Sequence, residues 1–389
     1  MNGVHDLDSH YDAVVIGARC AGAATGLLLA RSGARVLMVD RQPYGADTMS
    51  THALMRSAVM QIERWGLIPK FAAAGTPAIR STTFHYGDEI VRVDIKPDHG
   101  VDFLLAPRRT VLDPLLADAA REAGAAVRHG TALSELQFAS NGRVIGASLR
   151  DGSGACMTVR SDIVIGADGR QSTVAQLVNS KTLVEGFNAC GIVFGYFADL
   201  NSDGLHWHFA RNAAAGVIPT NAAHCVFAAV PASQFVATFR GDVMRGFLQV
   251  LAASFPELRA NVGRATLVGR LRSFAGATSY LRQCHGAGWA LVGDAGYFKD
   301  PLTAHGITDA LRDAQLLSRG IIDGGIRGLE SYQRERDELS LPLVRATDAI
   351  ASFSWDLDEV KQLHADLSAA MKAEANHIAN LSQQPSLAA

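Results

Sequence analysis

Residues 13–16 are an uninterrupted apolar run, the pattern of a strand covered on both faces. Gly17 breaks the run. Residues 21–30 then carry small and apolar side chains suited to a helix packed on a sheet, and residues 36–39 form a second apolar run ending at Asp40. The order strand, glycine turn, helix, strand, acid predicts a βαβ unit. Two later runs share the buried-strand pattern: residues 162–167, which end in Asp168-Gly169, and residues 289–292, which end in Gly293-Asp294.

Elsewhere the period changes. Helices are predicted over 57–65, closed by Gly66; over 110–124, opening at Asp113-Pro114; over 172–177; and over 247–255. Another is predicted over 306–318, where Ile307, Ala310, Leu311, Ala314 and Leu317 form one apolar stripe. Alternating positions over 79–95 around Gly87-Asp88 predict a hairpin, as do 143–150 with 156–159 around Asp151-Gly152. Residues 126–128 and 134–138 read as short strands. From Cys190 to Gly269 aromatic and β-branched runs separated by turns predict a large antiparallel sheet. The chain from Gly328 onward reads as helices with a polar, frayed tail after Gln383. The expected class is α/β (α+β), with a βαβ unit, a large antiparallel sheet and C-terminal helices.

Composition narrows the partners. A chain of 389 residues suits two domains. Its net charge of −2 comes without a basic run, which argues against nucleic acid. No apolar run has the length of a membrane span, and the polar, acidic first ten residues are unlike a signal peptide. The five cysteines are scattered without C-x-x-C spacing, which suits the reducing cytoplasm better than a disulfide framework or a zinc site.

The βαβ unit carries the first candidate chemistry. Gly17, Arg19, Ala21 and Gly22 occupy the turn and helix start, where free N–H groups and the helix dipole favour a diphosphate. Asp40, eighteen residues past Gly22, stands where a ribose-binding acid belongs. Arg19 replaces the middle glycine of G-x-G-x-x-G, and its guanidinium is itself a phosphate partner. His52 lies in a loop returning toward that site. His206-Trp207-His208 has H-x-H spacing, but no third ligand stands at metal-ligand spacing, so both imidazoles are read as a pocket wall and no metal is expected.

Taken together, GARCAG (17–22), GADGRQS (166–172) and LVGDAGYFKDPLTAHG (291–306) resemble, in order and spacing, the three signatures of the FAD-dependent aromatic hydroxylases. This p-hydroxybenzoate hydroxylase-like group also contains geranylgeranyl reductases and flavin-dependent halogenases. The resemblance covers nearly the whole chain, and it implies a Rossmann-like FAD-binding domain (1–75, 106–178 and 272–340) with an inserted antiparallel β-sheet substrate domain (76–105 and 179–271) and a C-terminal helical segment (341–389). It implies FAD contacts at Gly17, Gly22 and Asp40, with Arg41 near the adenine ribose or ring. It implies Arg109, in R-x-x-L-D, along the FAD, and a backbone contact to adenine at Leu133. Asp168 and Gly169 match the D-G pair associated with FAD and pyridine nucleotide, and Asp294 the G-D acid on the ribityl or phosphate side. Pro301, His305, Gly306 and Ile307 match the loop and helix start beside the flavin ring, where N–H groups would stabilise negative charge on reduced flavin.

The group's chemistry implies a monooxygenase. NAD(P)H reduces FAD, O2 adds at C4a, and the resulting hydroperoxide passes one oxygen to an aromatic or polycyclic substrate. The W-x-W-x-I-P signature of the halogenases is absent, so the expected member is a short single-component hydroxylase. Only one nucleotide fingerprint exists, so NAD(P)H either visits transiently or serves a separate flavin reductase. His305 and His52 are the candidate catalytic residues. Tyr196, His206, His208, Phe209 and Pro219 are candidates for the substrate wall. The rival readings are a flavin-dependent reductase of a prenyl or enone double bond, and a non-catalytic FAD-binding redox or escort protein.

Overall fold

A computed structural model describes residues 10–50 and 52–381; the first nine residues, Thr51 and the tail after Gln383 lie outside the described residues. The apolar runs read as buried strands do lie side by side. Trp289–Leu291, Cys156–Gly166, His10–Ile16, Val36–Asp40 and Ala126–His129 form the parallel core of an eight-stranded sheet. Their carboxyl ends, at Ile16, Asp40, Gly166 and Leu291, come out along one edge, the edge at which open parallel sheets bind ligands.

Four sequence expectations change here. The strands read over 156–159 and 162–167 are one continuous strand, Cys156–Gly166. Its first part pairs antiparallel with Val144–Asp151 and alternates in burial; its last four residues, 163–166, lie in the parallel core and are all buried. That change of period mimics two elements. The helix expected to open at Asp113-Pro114 begins at Arg109 and keeps Pro114 inside. The proline costs the helix one N–H···O bond, and Asp113 pairs with Arg109 one turn back. Two further helices, Ala232–Phe239 and Pro256–Arg264, flank Val243–Ser254. The final helical region comprises Gly306–Ala351, broken by non-helical backbone at Gly325, and Leu357–Leu381.

The second sheet has seven strands, in the order Thr266–Phe274, Cys190–Ala198, Ala223–Pro231, Ala213–Thr220, Leu205–Ala210, Ser81–Tyr86 and Glu89–Asp94. All neighbours are antiparallel except Ser81–Tyr86 beside Leu205–Ala210, which is parallel. Alternation gives it two different faces. One, with Val193, Phe197, Val217 and Val226, packs on Phe247 and the helices around it. The other, with Ile192, Phe194, Tyr196 and Phe209, turns toward Ala53, Leu302 and the C-terminal helices.

A buried charge network joins those C-terminal helices to the body. Arg312 is fully buried and donates to Asp309 and Glu374 (both 2.9 Å) and to Asp313 and Ser340 (2.7 and 2.9 Å). Glu374 also accepts from Ser57 Oγ (2.7 Å) and pairs with His305 Nε2 (3.0 Å). Lys299, whose ordinary place would be the surface, is 4 % exposed and ion-paired with Asp309. These donors hold Glu374 ionised well below the usual carboxylate range against the cost of burial, the contact with His305 contributing most. Replacing Arg312 with Leu removes the guanidinium shared by the buried carboxylates of Asp309, Asp313 and Glu374. We expect the unfolding free energy to fall by about 3–5 kcal/mol, read by urea unfolding followed by circular dichroism. An unchanged midpoint would remove the network from the account of stability.

Candidate functional site

The glycine turn is built by backbone lying on backbone. A Cβ on Gly22 would sit 1.8 Å from the Gly17 carbonyl oxygen, and one on Gly17 would sit 2.3 Å from that of Ala167. Gly17 also has φ +107°, a conformation that favours glycine. Helix Cys20–Arg31 therefore starts directly above the strand ends, with no acidic residue in its first turn and Arg19 as its N-cap. Asp113 takes only its Cys20 N–H, and the positive end is suited to an anion. Asp40 is held by the N–H groups of Ala18 (2.9 Å) and Gln42 (2.8 Å), which fix its carboxylate at the same edge.

A cavity of about 530 Å³ opens from this turn. Its wall includes Gly17, Arg19, Ala21, Asp40, Arg41, Arg109, Leu133, Asp168, Gly169, Asp294, Pro301, Gly306 and Ile307, brought together from four regions of the chain. Gly22 stands behind the wall as the packing contact just described. Arg109 is oriented by Asp113, which accepts from its Nε and Nη2 and also from the Cys20 N–H (3.1 Å), tying the arginine to the helix start. The Asp168 carboxylate is engaged by Ser172 Oγ (2.5 Å) and the Thr173 N–H (2.7 Å). Burial pushes the Asp294 carboxyl up to about 6, against the pull of Arg170, Arg109 and Lys299. A diol-binding carboxylate, a cationic helix start with arginines, and a second helix start at Gly306 fit the ribose, diphosphate and ring of a flavin dinucleotide.

His52 lies in the same wall with φ +65° and is fully buried. Its Nε2 is 2.6 Å from the Tyr196 hydroxyl, and its Nδ1 has no hydrogen-bond partner. Burial, then Arg109, Arg108 and Arg272, press its pKa well below 6.5 and keep the imidazole neutral. Arg108 stacks 3.4 Å over the Tyr196 ring, and Asp47 bridges Arg108 and Arg272. Tyr196 therefore stands behind His52, outside the cavity wall.

Several expected site residues lie elsewhere. His305 is fully buried behind the Gly306 helix start with its Nε2 on Glu374, and it does not reach the cavity. His206 and His208 point to the opposite face of the seven-stranded sheet, because Trp207 and Phe209 between and beside them take the inward positions. There His208 touches Phe255, and burial pushes it down to about 3. Pro219 shares the parity of Val217 and faces the same helices. Phe209 is inward but packs on Tyr86, Trp355 and His364, away from the cavity. The wall that sequence reasoning missed is Ile192, Phe194, Phe274 and Phe298. Ile192 and Phe194 lie four and two residues before Tyr196, so strand alternation from Tyr196 was the available signal.

Comparison with known proteins agrees with this geometry. The digeranylgeranylglycerophospholipid reductase of Methanocella arvoryzae is 25 % identical over 322 residues, covering 80 % of this chain and 77 % of that protein. Aklavinone 12-hydroxylase DnrF of Streptomyces peucetius is 31 % identical over 184 residues, covering 42 % of this chain and 37 % of that protein. Among solved structures, the flavin-dependent brominase Bmp2 superposes with a TM-score of 0.80 at 18 % identity, covering 95 % of this chain and 93 % of the brominase. PqsL of Pseudomonas aeruginosa, a probable FAD-dependent monooxygenase, gives 0.77 at 18 %, covering 92 % and 100 %. The family described as "FAD binding domain" matches residues 10–347. The chain thus belongs to the FAD binding domain family, in the p-hydroxybenzoate hydroxylase-like group of FAD-dependent enzymes, and its cofactor is FAD.

Proposed function

We propose that the protein is an FAD-dependent monooxygenase that uses NAD(P)H and O2 to place one oxygen atom on an aromatic or other electron-rich small molecule. The observation that carries this reading is the continuity of the cavity. The nucleotide cradle at Gly17 and Asp40 runs without a partition to Ile192, Phe194, Phe274 and Phe298 beside the Gly306 helix start. Bound FAD supplies the electrons that activate oxygen. The chain supplies the surroundings. The helix start at Gly306 offers its positive end to negative charge on the ring edge, and the phenyl groups hold an apolar substrate and exclude water. His52, a neutral imidazole in the cavity wall tied to the Tyr196 hydroxyl, is the candidate proton acceptor.

Membership of the two sheets supports the proposed division into a nucleotide domain and an inserted substrate domain. Among the described residues no helix is long and apolar enough to cross a membrane. The five cysteines, none in a disulfide and four of them buried, fit the cytoplasm. A second reading, reduction of an isolated or conjugated double bond, is favoured by the match to the digeranylgeranylglycerophospholipid reductase across four-fifths of the chain. Reduction by a transient NAD(P)H or by a partner reductase is compatible with either.

Incubation with NAD(P)H and a panel of phenols, indoles and polycyclic aromatics separates the two. We expect substrate-stimulated NAD(P)H oxidation that stops without oxygen and yields a product heavier by one oxygen atom. Oxidation continuing anaerobically, with a product heavier by two hydrogens, selects the reductase. For the cradle, Asp40→Ala should weaken FAD binding about 10- to 150-fold, the loss of a hydrogen bond to a charged group, in a fluorescence titration. An unchanged affinity would remove Asp40 from the site. His52→Asn should lower kcat about 10²–10⁴-fold with FAD content intact; full turnover in that variant would leave the proton to another group.

A further inference from the structure

The face of the seven-stranded sheet turned away from the flavin cavity carries three imidazoles that the proposed reaction does not use. Ser81–Tyr86 and Leu205–Ala210 run parallel, with His85 directly opposite His208 and Thr83 opposite His206. Strand alternation puts His85, His206 and His208 on one face. The His85 and His208 rings stack at 4.0 Å with 10° between planes, and His85 Nε2 lies 3.1 Å from His206 Nδ1. One nitrogen from each of the three lies within 4.8 Å of the others. Tetrahedral coordination with bonds of 2.0–2.1 Å needs nitrogens about 3.3 Å apart, so the stacked His85 and His208 rings must turn out of their parallel arrangement for the three lone pairs to converge on one centre.

Two further observations favour a ligand over a simple imidazole stack. Asp203 bonds His206 Nε2 (3.1 Å) and is itself ion-paired with Arg92, which leaves Nδ1 directed at the cluster. A carboxylate behind a ligating histidine is the usual orienting arrangement of metal sites. His208, though mostly buried, has no hydrogen-bond partner among the described residues. Both His85 and His208 line a cleft of about 1070 Å³ that also holds Glu257 and Phe255, so water or a carboxylate has access to a fourth position. A second such group among the described residues, the buried His305, Asp309 and Glu374, is already neutralised by Arg312 and Lys299 and has no place for a cation.

We propose that His85, His206 and His208 bind one divalent transition-metal cation of the zinc class. Imidazole donors suit Zn²⁺, Cu²⁺ and Ni²⁺ over Mg²⁺ or Ca²⁺. The site bridges the one parallel junction of the sheet, where the early hairpin Ser81–Asp94 meets strands from more than a hundred residues later. Its role is to fasten that junction, with an open coordination position toward the cleft.

The test uses the full-length, FAD-loaded protein, stripped with a chelator and dialysed against Zn²⁺. The expected result is about one equivalent of zinc per chain. His85→Ala, His206→Ala and His208→Ala should each weaken binding at least tenfold, and Asp203→Asn about tenfold, while the surface variant His99→Ala binds as the parent does. FAD content and circular dichroism identify any variant that fails to fold. X-ray absorption of the zinc-loaded parent needs no variant, and a shell of nitrogen or oxygen donors at about 2.0–2.1 Å is expected. Sulfur at about 2.3 Å, zinc retained by the His206→Ala/His208→Ala double variant, or no stoichiometric zinc in the parent would each overturn the proposal.

Discussion

Everything at the flavin edge depends on backbone packed against backbone where three distant segments meet. Gly22 rests on the Gly17 carbonyl, Gly17 on the Ala167 carbonyl, and Gly293 on the Ala21 methyl, with a Cβ excluded or crowded at each contact. These are the three signatures of the sequence, and the contacts explain why they must occur together. Each is a short turn of little meaning alone. Pressed together, they align the strand ends so that Asp40, Asp168, Asp294 and a helix N-terminus surround one cavity. Arg19 is tolerated at the middle position because that residue caps the helix and faces the cavity, while the close approaches fall on its neighbours.

The nucleotide half of the site was readable from the sequence for that reason. Its determinants are local: an apolar run, a glycine, an acid at a fixed distance. The substrate half was not. The direction of a strand side chain follows from register, and the stretch Leu205–Ala210 presents apolar and imidazole side chains alternately with equal regularity. Which set faces the flavin is decided by the neighbouring layers: the helices near Phe247 on one side and the C-terminal helices on the other. Asp113 was legible as a helix-start acid, but its partnership with Arg109 and Cys20 required the helix to begin at Arg109, five residues before Pro114. Glu374 and Ser57, which lie 317 residues apart, meet only in three dimensions.

The buried charges around Arg312 have a consequence for the site. Lys299 lines the cavity, Asp309 lies in the first turn of the Gly306 helix, and His305 precedes it, all within the network that Glu374 reaches from the last helix. The Gly306 helix start, which we propose faces the flavin ring, is therefore positioned by the C-terminal segment, far from the nucleotide cradle in sequence. Burying so many ions is costly and is offset only while every partner is present. Such an arrangement fixes geometry more than it adds stability.

The central claim is that one cavity places FAD and an apolar ring side by side. A flavin difference spectrum recorded with oxygen excluded and no reductant tests it without turnover. Aromatic ligands should shift the visible flavin bands in a saturable way, and Phe194→Ala should weaken that response while leaving FAD bound. Ligands that bind without disturbing the flavin, or a response indifferent to Phe194, would contradict the shared cavity.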